Sequence, residues 1–339
     1  MIFAIILLLL LGISVLFNIG HFVDRIVHLD GMRARSSGPR LDEVVVEDTG
    51  ASSKIAVVDV DGIITSQLER GGVNLVDLIK AQLKRAEEDE RVKAVILKVD
   101  SPGGEVLAAD EIYRAIKAFQ KKSSKPVVAS MGSLAASGGY YVSAPCQWIV
   151  ANELTITGSI GVIMSTWNYR HLMDKVGISP LVFKSGKYKD MLSGSKDPSE
   201  ITDEEKQMVQ DLINQTYGRF TNIVAEGREQ VRKRNDGQGQ KLSSDWTNYV
   251  DGRVLSGVDA FKLGFVDELG NFDVAVKSAK KMAGISQANV IRYQQRVDLA
   301  DLLGLFGKSD ARAVKLDLGV EMPKLQAGQL YFLSPTYLR

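Results

Sequence analysis

From Lys54 onward the chain alternates short, almost wholly apolar runs with longer stretches that are apolar at every third or fourth position. Ile55-Ala-Val-Val-Asp-Val60, Lys93–Val99, Pro126–Ser130 and Trp148-Ile-Val-Ala151 read as buried strands. Leu75–Arg85 and Val106–Phe119 have the 3.6-residue period of helices, with Leu107, Ile112, Ile116 and Phe119 on or near one face of the second. Such alternation implies parallel pairing and an α/β core. Thr202–Arg234 predicts one long, charged, amphipathic helix. After about Ala288 the pattern fades. The expected organisation is an anchor over 1–20, a turn-rich tether over 21–53, a main domain over 54–288 and a peripheral tail over 289–339.

The anchor rests on Met1–Phe17, MIFAIILLLLLGISVLF, before the first ionised side chain at Asp24. About 20 apolar residues cross a bilayer, so this run just suffices. No Lys or Arg precedes it and no Ala-x-Ala follows, which favours an uncleaved anchor over a signal peptide. Arg25, Arg33, Arg35 and Arg40 follow the run, against Asp24 and Asp30. That charge bias would keep the body in the cytoplasm.

Composition removes several functions. With 339 residues and 45% hydrophobic content the chain can bury a sizeable core, and a net charge of +1 gives no electrostatic case for nucleic acid. A single cysteine, Cys146, excludes an internal disulfide and a Cys-rich metal site; its apolar context reads as core. Of three histidines only His171 lies in the main body, inside a polar helical pattern that reads as surface. A serine hydrolase built here has almost no histidine to draw on.

Candidate chemistry lies at two glycine-rich turns, Ser101-Pro-Gly-Gly104 and Ala135-Ala-Ser-Gly-Gly139, each after a strand and before a helix. Amides at a helix start point outward unpaired and suit a developing anion. Glycine lets a backbone approach a substrate closely. Ser137, flanked by Ala-Ala and Gly-Gly, is either an exposed nucleophile or an N-cap in a tightly packed turn. A serine nucleophile needs a base, and with histidine scarce a lysine whose ammonium is disfavoured by burial is the alternative. Lys184, Lys187 and Lys189 sit close together downstream, and spacing does not choose among them.

The ordered set Asp100-Ser-Pro-Gly-Gly, Met131-Gly-Ser-Leu-Ala-Ala-Ser-Gly-Gly-Tyr-Tyr, Leu154-Thr-Ile-Thr-Gly-Ser-Ile-Gly-Val and Lys184-Ser-Gly-Lys-Tyr-Lys-Asp resembles the signal peptide peptidase A family, membrane serine–lysine peptidases of the short, single-core type. Asp251-Gly-Arg-Val and Gly264-Phe-Val-Asp-Glu-Leu-Gly extend the resemblance over roughly 54–275. It implies an α/β fold of stacked ββα units like the Clp protease and crotonase superfamily, preceded by one transmembrane helix. It also implies Ser137 as nucleophile, Lys189 as base, Ser159 to orient the lysine, and the N–H groups of Gly104 and Ser137 as oxyanion hole. No metal or cofactor is implied. Further expectations are residual signal peptides as substrates and a ring-like homo-oligomer sharing site residues between neighbours. The family's body lies outside the cytoplasmic membrane, against the flanking charges, and that placement is preferred here. The small residues around Ser137 would clear a groove for an extended peptide and favour small side chains near the cut.

Three rivals remain. Val57-Val-Asp-Val-Asp-Gly-Ile-Ile-Thr65 looks like the first motif of haloacid-dehalogenase phosphatases, with Asp59 as nucleophile, Asp61 as acid/base and magnesium, although Ile63 replaces the usual threonine. A crotonase-like acyl-CoA enzyme would use the same fold and oxyanion hole without a serine–lysine pair. A catalytically silent membrane scaffold is the non-enzyme reading.

Overall fold

The computed structural model describes residues 39–68, 73–296 and 330–333, together with residues 11 and 14. The expected anchor therefore lies outside the described residues, apart from Leu11 and Ser14. No helix among the described residues is long and apolar enough to cross a membrane.

A nine-stranded, mostly parallel sheet forms the centre. Its strands are β1 (Leu41–Glu47), β2 (Lys54–Asp61), β3 (Val92–Ser101), β5 (Val127–Ala136), β6 (Trp148–Ala151), β7 (Ile156–Gly158), β8 (Val254–Ser256), β9 (Glu268–Leu269) and β10 (Asn289–Gln295). The order is β1-β10-β2-β3-β5-β6-β9, and β7 pairs with β5 and carries β8. Only the β1–β10 and β7–β8 pairings are antiparallel. Runs such as Val92–Ser101 are buried on both faces, which is why they read as continuous apolar stretches rather than alternations.

Helices α1 (Leu75–Glu88), α2 (Val106–Ser123), α3 (Gly138–Ser143) and α5 (Asp203–Arg234) contribute to the larger core, with Ala56, Val58 and Val60 of β2. Helix α7 (Phe272–Met282) packs on the opposite face over Ile55 and Val57, the alternate residues of the same strand. Two short helices, α4 (Arg170–Lys175) and α6 (Gly257–Lys262), complete the described set. Helix α5 starts at a capping box between Thr202 and Glu205, with acids in its first turn and bases in its last.

Two expectations change. Leu107 is exposed, so it is not part of the apolar face of α2, which includes Val106, Ala108, Ala109, Ile112, Ile116 and Phe119. The first residues of the expected tail are not peripheral: β10 lies inside the sheet, parallel to β2 with Val290 opposite Ile55, so the main body runs past 288 to Gln295. Near the C-terminus, β11 (Tyr331–Leu333) pairs with β4 (Gly103–Glu105) in a separate two-stranded sheet.

Candidate active site

β5 changes partners halfway along. Val128–Met131 pair with β6, then Leu134–Ala136 pair with β7. Opposite β3 the register jumps from Val99–Met131 to Ser101–Ala135, so Gly132, Ser133 and Leu134 bulge out. The Asp100 carboxylate accepts the Leu134 N–H at 3.0 Å, and a side chain on Gly132 would crowd that carboxyl. This bulge shifts the end of β5 from β6 to β7 and delivers Ser137 to the start of α3.

Ser137 has φ 55° and ψ −114°, in the left-handed half of φ space that a serine seldom occupies. Its carbonyl accepts the Tyr141 N–H (2.9 Å), the first bond of α3. The hydroxyl is buried and has no hydrogen-bond partner, so Ser137 is no side-chain N-cap. A buried polar atom left unpaired in a strained turn is what a reactive group waiting for substrate looks like.

The pairing of Ala136 with Gly158 brings the next residues, Ser137 and Ser159, side by side. Ser159 is also buried, with φ 49°. The Ser137 N–H donates to the Gly158 carbonyl at 2.8 Å, so it faces β7 rather than the groove. The residue that closely approaches Gly104 is the next one, Gly138. A Cβ on Gly138 would sit 3.0 Å from the Gly103 Cα and 3.1 Å from the Gly104 nitrogen, so this close approach requires glycine. Gly138 is the first residue of α3, where an amide has no carbonyl within the helix to take it.

Residues 330–333 occupy the groove beside these amides. Tyr331 exchanges both backbone bonds with Ile163 (3.0 and 3.1 Å), while on the other side the Val106 N–H donates to the Leu330 carbonyl (3.3 Å). Bonded pairs alternate along an antiparallel ladder, so Phe332 and Gly104 form the next bonded pair and the Gly104 N–H meets the Phe332 carbonyl. That carbonyl oxygen also lies against Gly103 and Gly138. The Phe332 ring is fully buried, stacked on Tyr141 (4.8 Å between centroids) and tilted against Phe220 (4.7 Å). The Tyr141 hydroxyl donates to Asp110 (2.7 Å), which Arg114 and Arg219 also bind. Burial raises the Asp110 pKa, but these hydrogen bonds outweigh it and hold the carboxyl below its ordinary value.

The lysines lie elsewhere, on a mostly exposed segment over 164–200. Lys184 is paired with Asp190 (2.7 Å) and Lys187 with Glu204 (3.0 Å). Hydrogen bonds to Tyr188 and Glu204 raise the Lys187 pKa, the wrong direction for a base. Lys189 has no ion pair among the described residues and its side chain is exposed. The single chain does not bring it to Ser137, whose hydroxyl is without a partner. The same segment exposes Trp167, Leu181 and Phe183, each more than 80% accessible.

The remaining candidates fall away from the groove. The His171 side chain is 75% exposed. Cys146 is fully buried, and burial pushes its thiol pKa up. Asp59 pairs with Arg292 at 3.0 Å, and burial raises its carboxyl pKa. Among the described residues no cluster of His, Cys, Asp and Glu is arranged to hold a metal ion around Asp59 and Asp61. Sequence reasoning missed the groove occupant and the aromatic pocket beneath it. The available signal was Leu330-Tyr-Phe-Leu333, a compact apolar run within a stretch read as a tail.

Comparison with known proteins gives a consistent picture. The description of peptidase family S49 matches residues 119–286, and that of Clp protease matches 63–146. A Methanocaldococcus jannaschii protein provisionally named as a protease is 40% identical over 250 residues, 73% of this chain and 71% of that protein. An Enterococcus faecium protein provisionally named signal peptide peptidase SppA is 37% identical over 75% of this chain and 71% of its own length. Protease 4 of Salmonella typhi is 36% identical over 76% of this chain, which spans 38% of that longer protein.

Proposed function

The chain belongs to peptidase family S49 and is a serine peptidase; on that premise we propose that it cuts residual signal peptides and similar apolar peptides with a Ser137–Lys189 pair. The observation that carries this reading is the protein's own segment 330–333, lying extended in the groove with the Phe332 carbonyl on the Gly104 amide and against Gly138. A substrate held in that register presents its carbonyl carbon beside the unpartnered Ser137 hydroxyl.

In the proposed reaction neutral Lys189 takes the Ser137 proton as Oγ bonds to the carbonyl carbon. The oxyanion is held by the Gly104 N–H and, in place of the expected Ser137 N–H, by that of Gly138. Collapse breaks the peptide bond, and the amine leaves with the proton from Lys189. Water then releases the acyl group by the same steps. Ser159, beside Ser137, orients the amine. The buried Phe332 ring implies that the pocket next to the cut takes a large apolar side chain, not the small one expected from the flanking residues.

Desolvation is what makes a lysine amine a base near neutral pH, and the exposed 164–200 segment supplies it only when covered. We therefore assign Lys189 to the Ser137 of a neighbouring copy in a ring-like homo-oligomer, with Trp167, Leu181 and Phe183 buried between copies. Residues 1–20 would anchor the chain, with the body outside the cytoplasm where cut signal peptides remain in the membrane. The phosphatase, acyl-CoA and scaffold readings find no support in the family assignment. Fluorophosphonate labelling tests the pair. Label on Ser137 that is lost in Lys189→Ala is expected, and label elsewhere, or undiminished without Lys189, overturns the assignment.

A further inference from the structure

A second cavity of about 580 Å³ lies between the C-terminal part of α5 and the loop that follows it. Gly227 of α5 packs on the Ala144 carbonyl, at the end of α3 opposite Ser137. A six-residue helix is roughly 9 Å long, so this cavity is separate from the catalytic groove. Its apolar wall is Ala225, Leu242 and Trp246.

Its polar wall is unbalanced. Arg228 is neutralised by Asp267, and Lys233 by Glu229 at 2.6 Å. Arg232 and Lys241 also line the cavity, and neither forms an ion pair among the described residues. The Arg232 Nε and the Ser243 Oγ are both buried without a hydrogen-bond partner. Buried polar atoms are nearly always paired, so these two atoms, in residues of the cavity wall, call for a partner that a water or an anionic ligand can supply. A guanidinium, a hydroxyl and an ammonium beside an indole suit an anion on an apolar body.

We propose that this cavity binds the free C-terminal carboxylate of an apolar peptide, with Arg232 and Ser243 on the carboxylate, Lys241 adding charge and Trp246 against the last side chain. Peptides released by a previous cleavage end in that group, whereas a chain still joined to its protein does not. The site would thus select substrates already cut. The peptide identity rests on the peptidase reading, whereas the anion requirement rests on the cavity alone.

The test measures calorimetric binding of a short apolar peptide with a free carboxylate, and of its C-terminal amide, to the full-length Ser137→Ala protein, which leaves both uncut. The carboxylate form should bind at least tenfold more tightly. Arg232→Gln should abolish that preference, and Arg232→Lys should restore part of it. Arg232→Gln on the wild-type background should still hydrolyse a small blocked ester at the normal rate, which separates loss of this site from loss of the catalytic pair. Equal binding of acid and amide, or an unchanged preference in Arg232→Gln, overturns the proposal. So does binding of dihexanoyl phosphatidylglycerol or inorganic phosphate through Arg232 with no peptide binding there, which would make the cavity a phosphate site.

Discussion

In the proposed mechanism Ser137 and Lys189 carry the chemistry, and the three lysines give the sharper contrast. Ser137→Ala should eliminate peptide hydrolysis while leaving the melting temperature nearly unchanged, because its hydroxyl makes no hydrogen bond to lose. Hydrolysis near the wild-type rate would dismiss it. Lys189→Arg should be as inactive as Lys189→Ala, since arginine keeps its proton in a protein. Lys184→Arg and Lys187→Arg should keep most activity, because both lysines already serve ion pairs that arginine can replace. Turnover by Lys189→Arg, or a folded but dead Lys187→Arg, would move the base elsewhere.

Among the elements, β11 and α5 matter most. β11 fills the groove as a substrate would, so it competes with one. Phe332→Ala removes a fully buried ring, a change that costs about 3–5 kcal/mol in a packed core. The segment should leave, and kcat/KM for added peptide should rise about tenfold or more; an unchanged value would show that the segment does not compete. In the proposed mechanism the Phe332–Leu333 bond, with the Phe332 carbonyl against Gly103 and Gly138, is the one Ser137 would cut. Loss of residues 333–339 by mass spectrometry in the wild type, and its absence in Ser137→Ala, is the matching outcome. Helix α5 is pinned by the fully buried Arg228–Asp267 pair, which Arg228 extends to the Gly264 carbonyl. Arg228→Met leaves that carboxylate buried without its cation and should lower unfolding stability by roughly 3–5 kcal/mol, measurable by urea denaturation. A loss below 1 kcal/mol would mean the helix is held otherwise.

At the scale of the whole molecule, the exposed position of Lys189 leads to the proposal that activity belongs to the assembly. If Ser137 and Lys189 meet across copies, inactive Ser137→Ala and Lys189→Ala proteins should regain activity when mixed and reassembled, since some interfaces then hold both intact residues. No recovery would place the pair within one chain. Phe183→Asp, which puts a charge on an 87% exposed apolar position, should dissociate the assembly and abolish activity together.

Much of this was legible along the chain. Apolar runs and helical periods gave the parallel α/β core, because burial on both faces leaves its mark on every residue of a strand. Ser137 and Gly104 stood out because they lie in glycine-rich turns between strand and helix, whereas Ser159 was indicated only by the family resemblance. Spacing did not choose among Lys184, Lys187 and Lys189; the family resemblance pointed to Lys189, and the fold adds that Lys184 and Lys187 are held by Asp190 and Glu204, on a loop and a helix. The Ser137 amide turned to Gly158, the bulge held by Asp100, β10 in the sheet and Phe332 in its aromatic pocket were decided in three dimensions. Each depends on a pairing register between segments far apart in sequence, and local periodicity carries no record of which distant strand will be the neighbour.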